Sequence, residues 1–191
     1  MLRTLILAIL GTASSLLLGA GPAAAEWYAV DSARVRIAVQ HPAFAGPPAA
    51  VSVRIPDDIA RTAQSDWLRI GALSEPGPVF TATYQTERRR FPPYTLAESF
   101  RHKLAFRAWT MIAVEPGPLG RSDFGPVETM TVTIAKDGVE RQCGYWHWQE
   151  ADNRSYFDGW YCPAVGVAVT EADIQRSVWS VRWRTQEARA R

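Results

Sequence analysis

Cysteine, histidine and methionine are scarce in this sequence: two, three and three of 191 residues. No His-Glu-x-x-His helix and no Gly-x-Ser-x-Gly elbow occurs, so neither a zincin nor a serine-hydrolase motif is written into the chain. A phosphate-cradling glycine loop and a dinucleotide fingerprint are missing too. Charge of one sign is also lacking. The formal net charge of +2 leaves no electrostatic footprint for nucleic acid or anionic membrane. Arg88-Arg89-Arg90, with Glu87 beside it, reads as a solvated loop rather than a polyanion site. Beyond residue 25 no run is apolar enough to cross a bilayer.

What is present begins with MLRTLILAILGTASSLLLGAGPAAAEW. Arg3 makes a positive start, and Leu5 to Leu18 form an apolar stretch diluted by Gly11, Thr12, Ser14 and Ser15. Ala23-Ala24-Ala25 supplies an A-x-A cleavage pattern. This is the anatomy of a secretory signal peptide cut after Ala25, whereas a spanning helix needs about 20 predominantly apolar residues. The expectation is a signal peptide over residues 1–25 and a single exported domain over 26–191, one ordinary domain in size. The arginine-, alanine- and proline-rich composition looks bacterial and places the mature chain in the periplasm or outside the cell. In such an oxidising compartment an isolated cysteine pair forms one structural disulfide, here Cys143 with Cys162.

Alternation predicts strands at Val35–Val39, Val51–Ile55, Trp67–Ile70 and Val79–Tyr84. Thr95-Leu96-Ala97-Glu98 is a capping box, and Leu96, Phe100 and Leu104 make an apolar stripe on a helix to about Phe106. Pro116-Gly117-Pro118-Leu119-Gly120 reads as loop. The pattern is clearest afterwards. Val127–Ile134 alternates, Asp137-Gly138 is a hairpin turn, and Val139–Trp148 and Tyr156–Cys162 complete a three-strand meander. Thr170 caps a last helix whose stripe is Ile174, Val178 and Val181. The fold class is α+β: an antiparallel sheet with this C-terminal meander, packed by two or more helices and stapled by one disulfide.

A two-residue turn at Asp137-Gly138 sets Ile134 opposite Arg141, Val132 opposite Cys143, Met130 opposite Tyr145 and Glu128 opposite His147. If the cysteines face each other, as a disulfide requires, Tyr145 faces Trp160 and His147 faces Asp158. Side chains alternate between the two faces of a sheet. One face therefore carries Met130, Val132, Ile134, Cys143, Tyr145, Trp160 and Cys162. The other carries Val127, Thr129, Thr131, Thr133, Trp146, Trp148, Phe157 and Tyr161.

Two sets of side chains are candidates for function. Trp146, Trp148, Phe157 and Tyr161 form an aromatic surface that would bind a glycan by stacking if exposed; the preferred alternative is a second layer of core beneath other elements. Glu128, His147 and Asp158 form a row in which a histidine between carboxylates could act as a general base or bind a divalent cation. The preferred alternative there is a cross-strand ion pair at the edge of the core. His41, in a proline-rich loop, is expected to be solvated. No cofactor or metal is indicated.

RSDFGPVETMTVTI, ERQCGYWHW and DGWYCP, spanning Ser122 to Pro163, resemble a group of small exported proteins of unknown function from alphaproteobacteria such as the rhizobia. The resemblance implies an exported, cysteine-paired domain and names no site. Helix, meander and terminal helix are also similar in architecture to α+β sandwiches of the PsbP/MOG1 type, often non-catalytic accessory proteins. The functional expectation is a non-enzymatic binding or accessory role in the cell envelope, with an envelope protein or a glycan as partner. A glycan-binding module and a hydrolase using His147 are the alternatives.

Overall fold

The computed structural model describes residues 27–29, 36–44, 50–54, 64–86, 91–103 and 106–184. The expected signal peptide, the Arg88–Arg90 cluster and Leu104 lie outside the described residues. In chain order the elements are β1 (Trp27–Ala29), β2 (Ile37–Val39), β3 (Ala50–Arg54), β4 (Gln64–Ile70), β5 (Val79–Thr86) and α1 (Leu96–Arg101). They continue with β6 (Thr110–Pro116), β7 (Gly120–Ser122), β8 (Gly125–Lys136), β9 (Val139–Gln149), β10 (Ser155–Cys162), α2 (Glu171–Trp179) and β11 (Val181–Trp183).

Nine strands form one antiparallel sheet in the order β1-β3-β4-β5-β10-β9-β8-β6, with β7 also paired to β8. Strands β2 and β11 pair separately. The meander has the register expected from its turn. Asp137 (φ 52°) and Gly138 (φ 77°) both take positive φ, as a tight turn matched to strand twist demands. Glu128 then pairs with His147, Met130 with Tyr145 and Val132 with Cys143, while Asp158 pairs with His147 and Trp160 with Tyr145. The Cys143–Cys162 disulfide is formed, with Cα atoms 4.1 Å apart.

The sheet buries both faces. Against one, α1 and the turn after it place Phe100 and Phe106 on Met130, Val132, Ile134, Tyr145, Trp160 and the disulfide. Against the other, α2 and the β2–β11 pair place Ile37, Val178 and Val181 on Phe80, Trp146, Phe157 and Tyr161. Two glycines in the central strands make room for this packing. A Cβ on Gly159 would run into the Trp146 indole and the Thr81 carbonyl, and one on Gly144 would meet Ile174 of α2. Both helices begin with the expected reciprocal caps, Thr95 with Glu98 and Thr170 with Asp173. Arg141 is buried without a carboxylate partner in its hydrogen-bond set. Its guanidinium donates to the carbonyls of Leu73, Glu75, Gly77 and Pro163 and so fastens the loop before β5 to the end of β10.

Three elements depart from the sequence expectation. Helix α1 stops at Arg101 rather than near Phe106. Lys103 is tied down to Asp158, and Phe106 must drop between Phe100 and Trp160, at ring separations of 4.3 and 4.8 Å. Strand β6 (Thr110–Pro116) fills the stretch between the expected helix and the expected loop, to which no element was assigned, and takes in Pro116 from that loop. It is an edge strand, almost wholly exposed, and its pairing slips between Met111 and Ala113, so no alternation marks it. Val181 belongs to β11, not to α2: the helix ends at Trp179 with Ser180 as its C-cap, whose hydroxyl donates to the Ser177 carbonyl at 2.7 Å. The side chain is buried all the same, on the same core.

Candidate functional site: a hydroxyl chain ending at His147

Adjacent strands β9 and β10 bring His147 and Asp158 side by side on the face that α1 covers. Helix α1 adds Ser99, and the residues after it add Lys103. The Asp158 carboxylate, buried, accepts from Lys103 Nζ and from Tyr145 Oη at 3.4 Å. Tyr145 Oη lies 2.7 Å from Ser99 Oγ, and Ser99 Oγ lies 3.4 Å from His147 Nδ1. His147 Nδ1 and Asp158 Oδ2 are 4.0 Å apart, beyond hydrogen-bond distance. Glu128 pairs with His147 in register, but its side chain is exposed and makes no ion pair with it. The expected carboxylate–histidine–carboxylate row is therefore replaced by a chain of hydroxyls.

An ionised carboxylate only accepts, and a hydroxyl has one proton to donate. Tyr145 gives its proton either to Asp158 at 3.4 Å or to Ser99 at 2.7 Å, and that choice sets whether Ser99 accepts from His147 Nδ1 or donates to it. His147 Nε2 is buried and makes no hydrogen bond of good geometry among the described residues, while the Gln149 side chain acts on the ring as an acceptor. Burial holds the His147 imidazole below its ordinary pKa, the Asp158 charge opposing that shift, so the ring is neutral. Burial, reinforced by the Asp158 charge, pushes the Tyr145 phenol well up, so it keeps its proton.

His147 lines a recess of about 220 Å³ with Phe91, Tyr94, Ser99, Lys103 and Tyr156. Phe91 meets Tyr156 edge-on at 4.7 Å, and Lys103 Nζ lies 5.2 Å from the centre of the Tyr156 ring. Of these residues, only His147 stood out from the sequence as a functional candidate. Ser99 was legible in principle: it sits three positions after Leu96 on the apolar stripe, where a polar residue stands out. Lys103 and Tyr156 join only because β10 runs beneath the end of α1.

The other sequence candidates are placed elsewhere. Trp146 is 0 % exposed, Phe157 and Tyr161 are buried, and Trp148 is half-buried. Phe124 stacks on Phe157 at 4.2 Å, and Phe44 lies edge-on to Tyr161 at 6.4 Å. Trp146, Phe157 and Tyr161 belong to the second core layer, and Trp148, half-buried, packs against it.

His41 is not solvated but only 7 % exposed. Its Nδ1 accepts from the Ala43 amide at 3.1 Å, and its Nε2 lies 2.9 Å from Ser177 Oγ. Ser177 in turn donates to the Asp173 carbonyl at 2.7 Å, so His41 Nε2 is the donor. Burial, followed by the Arg176 charge, holds this imidazole down to about 4, and Asp173 opposes them. The ring lies against Tyr161, Phe44 and Phe80, with centroids 4.8 to 5.4 Å away.

Among the described residues no cluster of three or more histidine, cysteine or acidic side chains could hold a metal ion. No family model matches the chain, and neither do any curated protein or solved structure. Among the described residues no helix is long and apolar enough to cross a membrane.

Proposed function

We propose that this protein serves a non-enzymatic binding or accessory role outside the cytoplasm, in the periplasm or beyond the cell. The observation that carries the reading is the burial of both serines that meet a histidine. Nucleophilic catalysis needs a histidine that accepts the proton of a serine open to substrate. Ser99 and Ser177 are both buried, and His41 donates to Ser177 rather than accepting from it. The disulfide supports an oxidising compartment, in keeping with the signal-like start of the chain.

Two measurements test this. The full-length gene expressed in a bacterium should yield a periplasmic or secreted product beginning at Glu26, read by intact mass; a cytoplasmic product retaining residues 1–25 would refute export. Purified protein incubated with a small-molecule extract of the cell envelope should retain a compound unchanged, at no more than one per chain. Altered compound in molar excess over protein would mean turnover, and the binding role would be wrong.

A further inference from the structure

The recess at His147 is a built site rather than a packing gap. Its floor is a side chain 7 % exposed, one nitrogen of which, Nε2, makes no hydrogen bond of good geometry among the described residues. A buried polar atom left unmatched costs free energy, so the arrangement favours whatever brings it a partner. Phe91, Tyr94 and Tyr156 line its walls with aromatic rings, and Lys103, the ammonium on the wall, is already neutralised by Asp158. Gln149, another polar group there, gives one amide proton to the Pro92 carbonyl at 3.3 Å and turns acceptor character toward the His147 ring. The volume, about 220 Å³, is below the ~300–1,000 Å³ of pockets for drug-sized ligands and suits a single ring.

We propose that this recess binds a neutral, ring-sized molecule whose hydroxyl donates to His147 Nε2, an assignment that rests on the binding role above. Saccharides and phenols share that chemistry, and both are small enough to sit among the rings of Phe91, Tyr94 and Tyr156. The Lys103–Asp158 pair is internally neutralised and leaves no net charge there to select an ion.

The test is titration of the full, disulfide-intact chain, labelled with ¹⁵N-histidine, with phenol, anisole, glucose and N-acetylglucosamine. Binding of phenol or of a sugar should shift the His147 Nε2 resonance while leaving His41 unmoved. Anisole, which has the ring without the donor, should bind roughly tenfold more weakly than phenol, the loss expected for an unmade hydrogen bond to a buried group. A response to phenol alone assigns an aromatic ligand, and a response to sugar alone assigns a saccharide. Tyr94→Ala, at an exposed rim position, should weaken the responding probe without unfolding the protein. Equal affinity for phenol and anisole overturns the proposal, as does an unmoved His147 with every probe. If the envelope extract still yields one retained compound when all four probes fail, the ligand class is wrong and the binding role stands. If nothing is retained either, both fall.

Discussion

One sheet carries a buried histidine against each of its faces, and the two differ in what their second nitrogen finds. On the α2 face His41 has both ring nitrogens satisfied, by the Ala43 amide and the Ser177 hydroxyl, within a wall of rings. On the α1 face His147 spends Nδ1 on Ser99 and leaves Nε2 unmatched beside a recess. Both are neutral and held below the ordinary histidine range by burial, and a ligand hydroxyl donating to His147 Nε2 would require the two to be opposite tautomers. Burial and a shifted pKa thus do not mark a site. An incomplete hydrogen-bond account does.

The contrast between a closed and an open face is easiest to break at Trp146. Truncation to Ala empties the centre of the α2 face over Gly159 and should cost about 3–5 kcal/mol, read from urea unfolding. A loss below about 1 kcal/mol would mean that this face is not the packed layer described. Next comes the staple on the α1 face. Cys143→Ser with Cys162→Ser removes a cross-link between residues 19 apart in sequence and should cost about 2–4 kcal/mol. Equal midpoints for the double variant and wild type would deny the disulfide any part in stability.

Acid should sharpen the comparison at smaller cost. The His41 pKa is held down to about 4 in the folded chain, against about 6.5 when unfolded. The unfolded state therefore binds the extra proton between those values. Its contribution to stability is complete above pH 6.5 and is lost as the pH falls toward 4, by roughly 1–2 kcal/mol after allowance for solvent screening. His41→Gln should flatten the urea midpoint across that window; a slope as steep as wild type would place the titration elsewhere, His147 being the next group to examine. Long-range ¹⁵N–¹H spectra at pH 7 should show the proton on Nε2 in His41 and on Nδ1 in His147. The same tautomer at both would leave His147 Nε2 no lone pair to accept a ligand hydroxyl. The smallest effect belongs to Tyr94→Ala, within about 0.5 kcal/mol of wild type in stability, because the ring is already exposed at the rim of the recess.

Much of the C-terminal half was legible in the residues themselves. The Asp137-Gly138 turn allows one register for β8 and β9, and a disulfide between neighbouring strands allows one for β9 and β10. Those two constraints sort Cys143, Tyr145 and Trp160 onto one face and Trp146, Phe157 and Tyr161 onto the other. Strand β6 escaped because an exposed edge with a bulge shows no alternation. His41 was misjudged because its loop neighbours are Pro42 and Gly46, which say nothing of Phe80, Tyr161 and Ser177 arriving from β5, β10 and α2. The candidate row Glu128–His147–Asp158 was right in register, and His147 and Asp158 share one cluster, but Glu128 stays exposed outside it. Pairing positions specifies Cα partners, while Asp158 turned to a lysine and His147 to a serine on α1.

By itself the sequence determined the local and periodic features: both helix caps, the tight turn, the meander, its two faces and the cysteine pair. Each depends on residues adjacent in the chain or on a two-residue period. Tertiary structure alone decided which face closed, where α1 stopped, and that a serine, a tyrosine, an aspartate and a lysine would meet in one chain ending at His147. Those outcomes depend on which elements pack over the sheet, and hence on groups tens of residues apart satisfying one another's donors and acceptors.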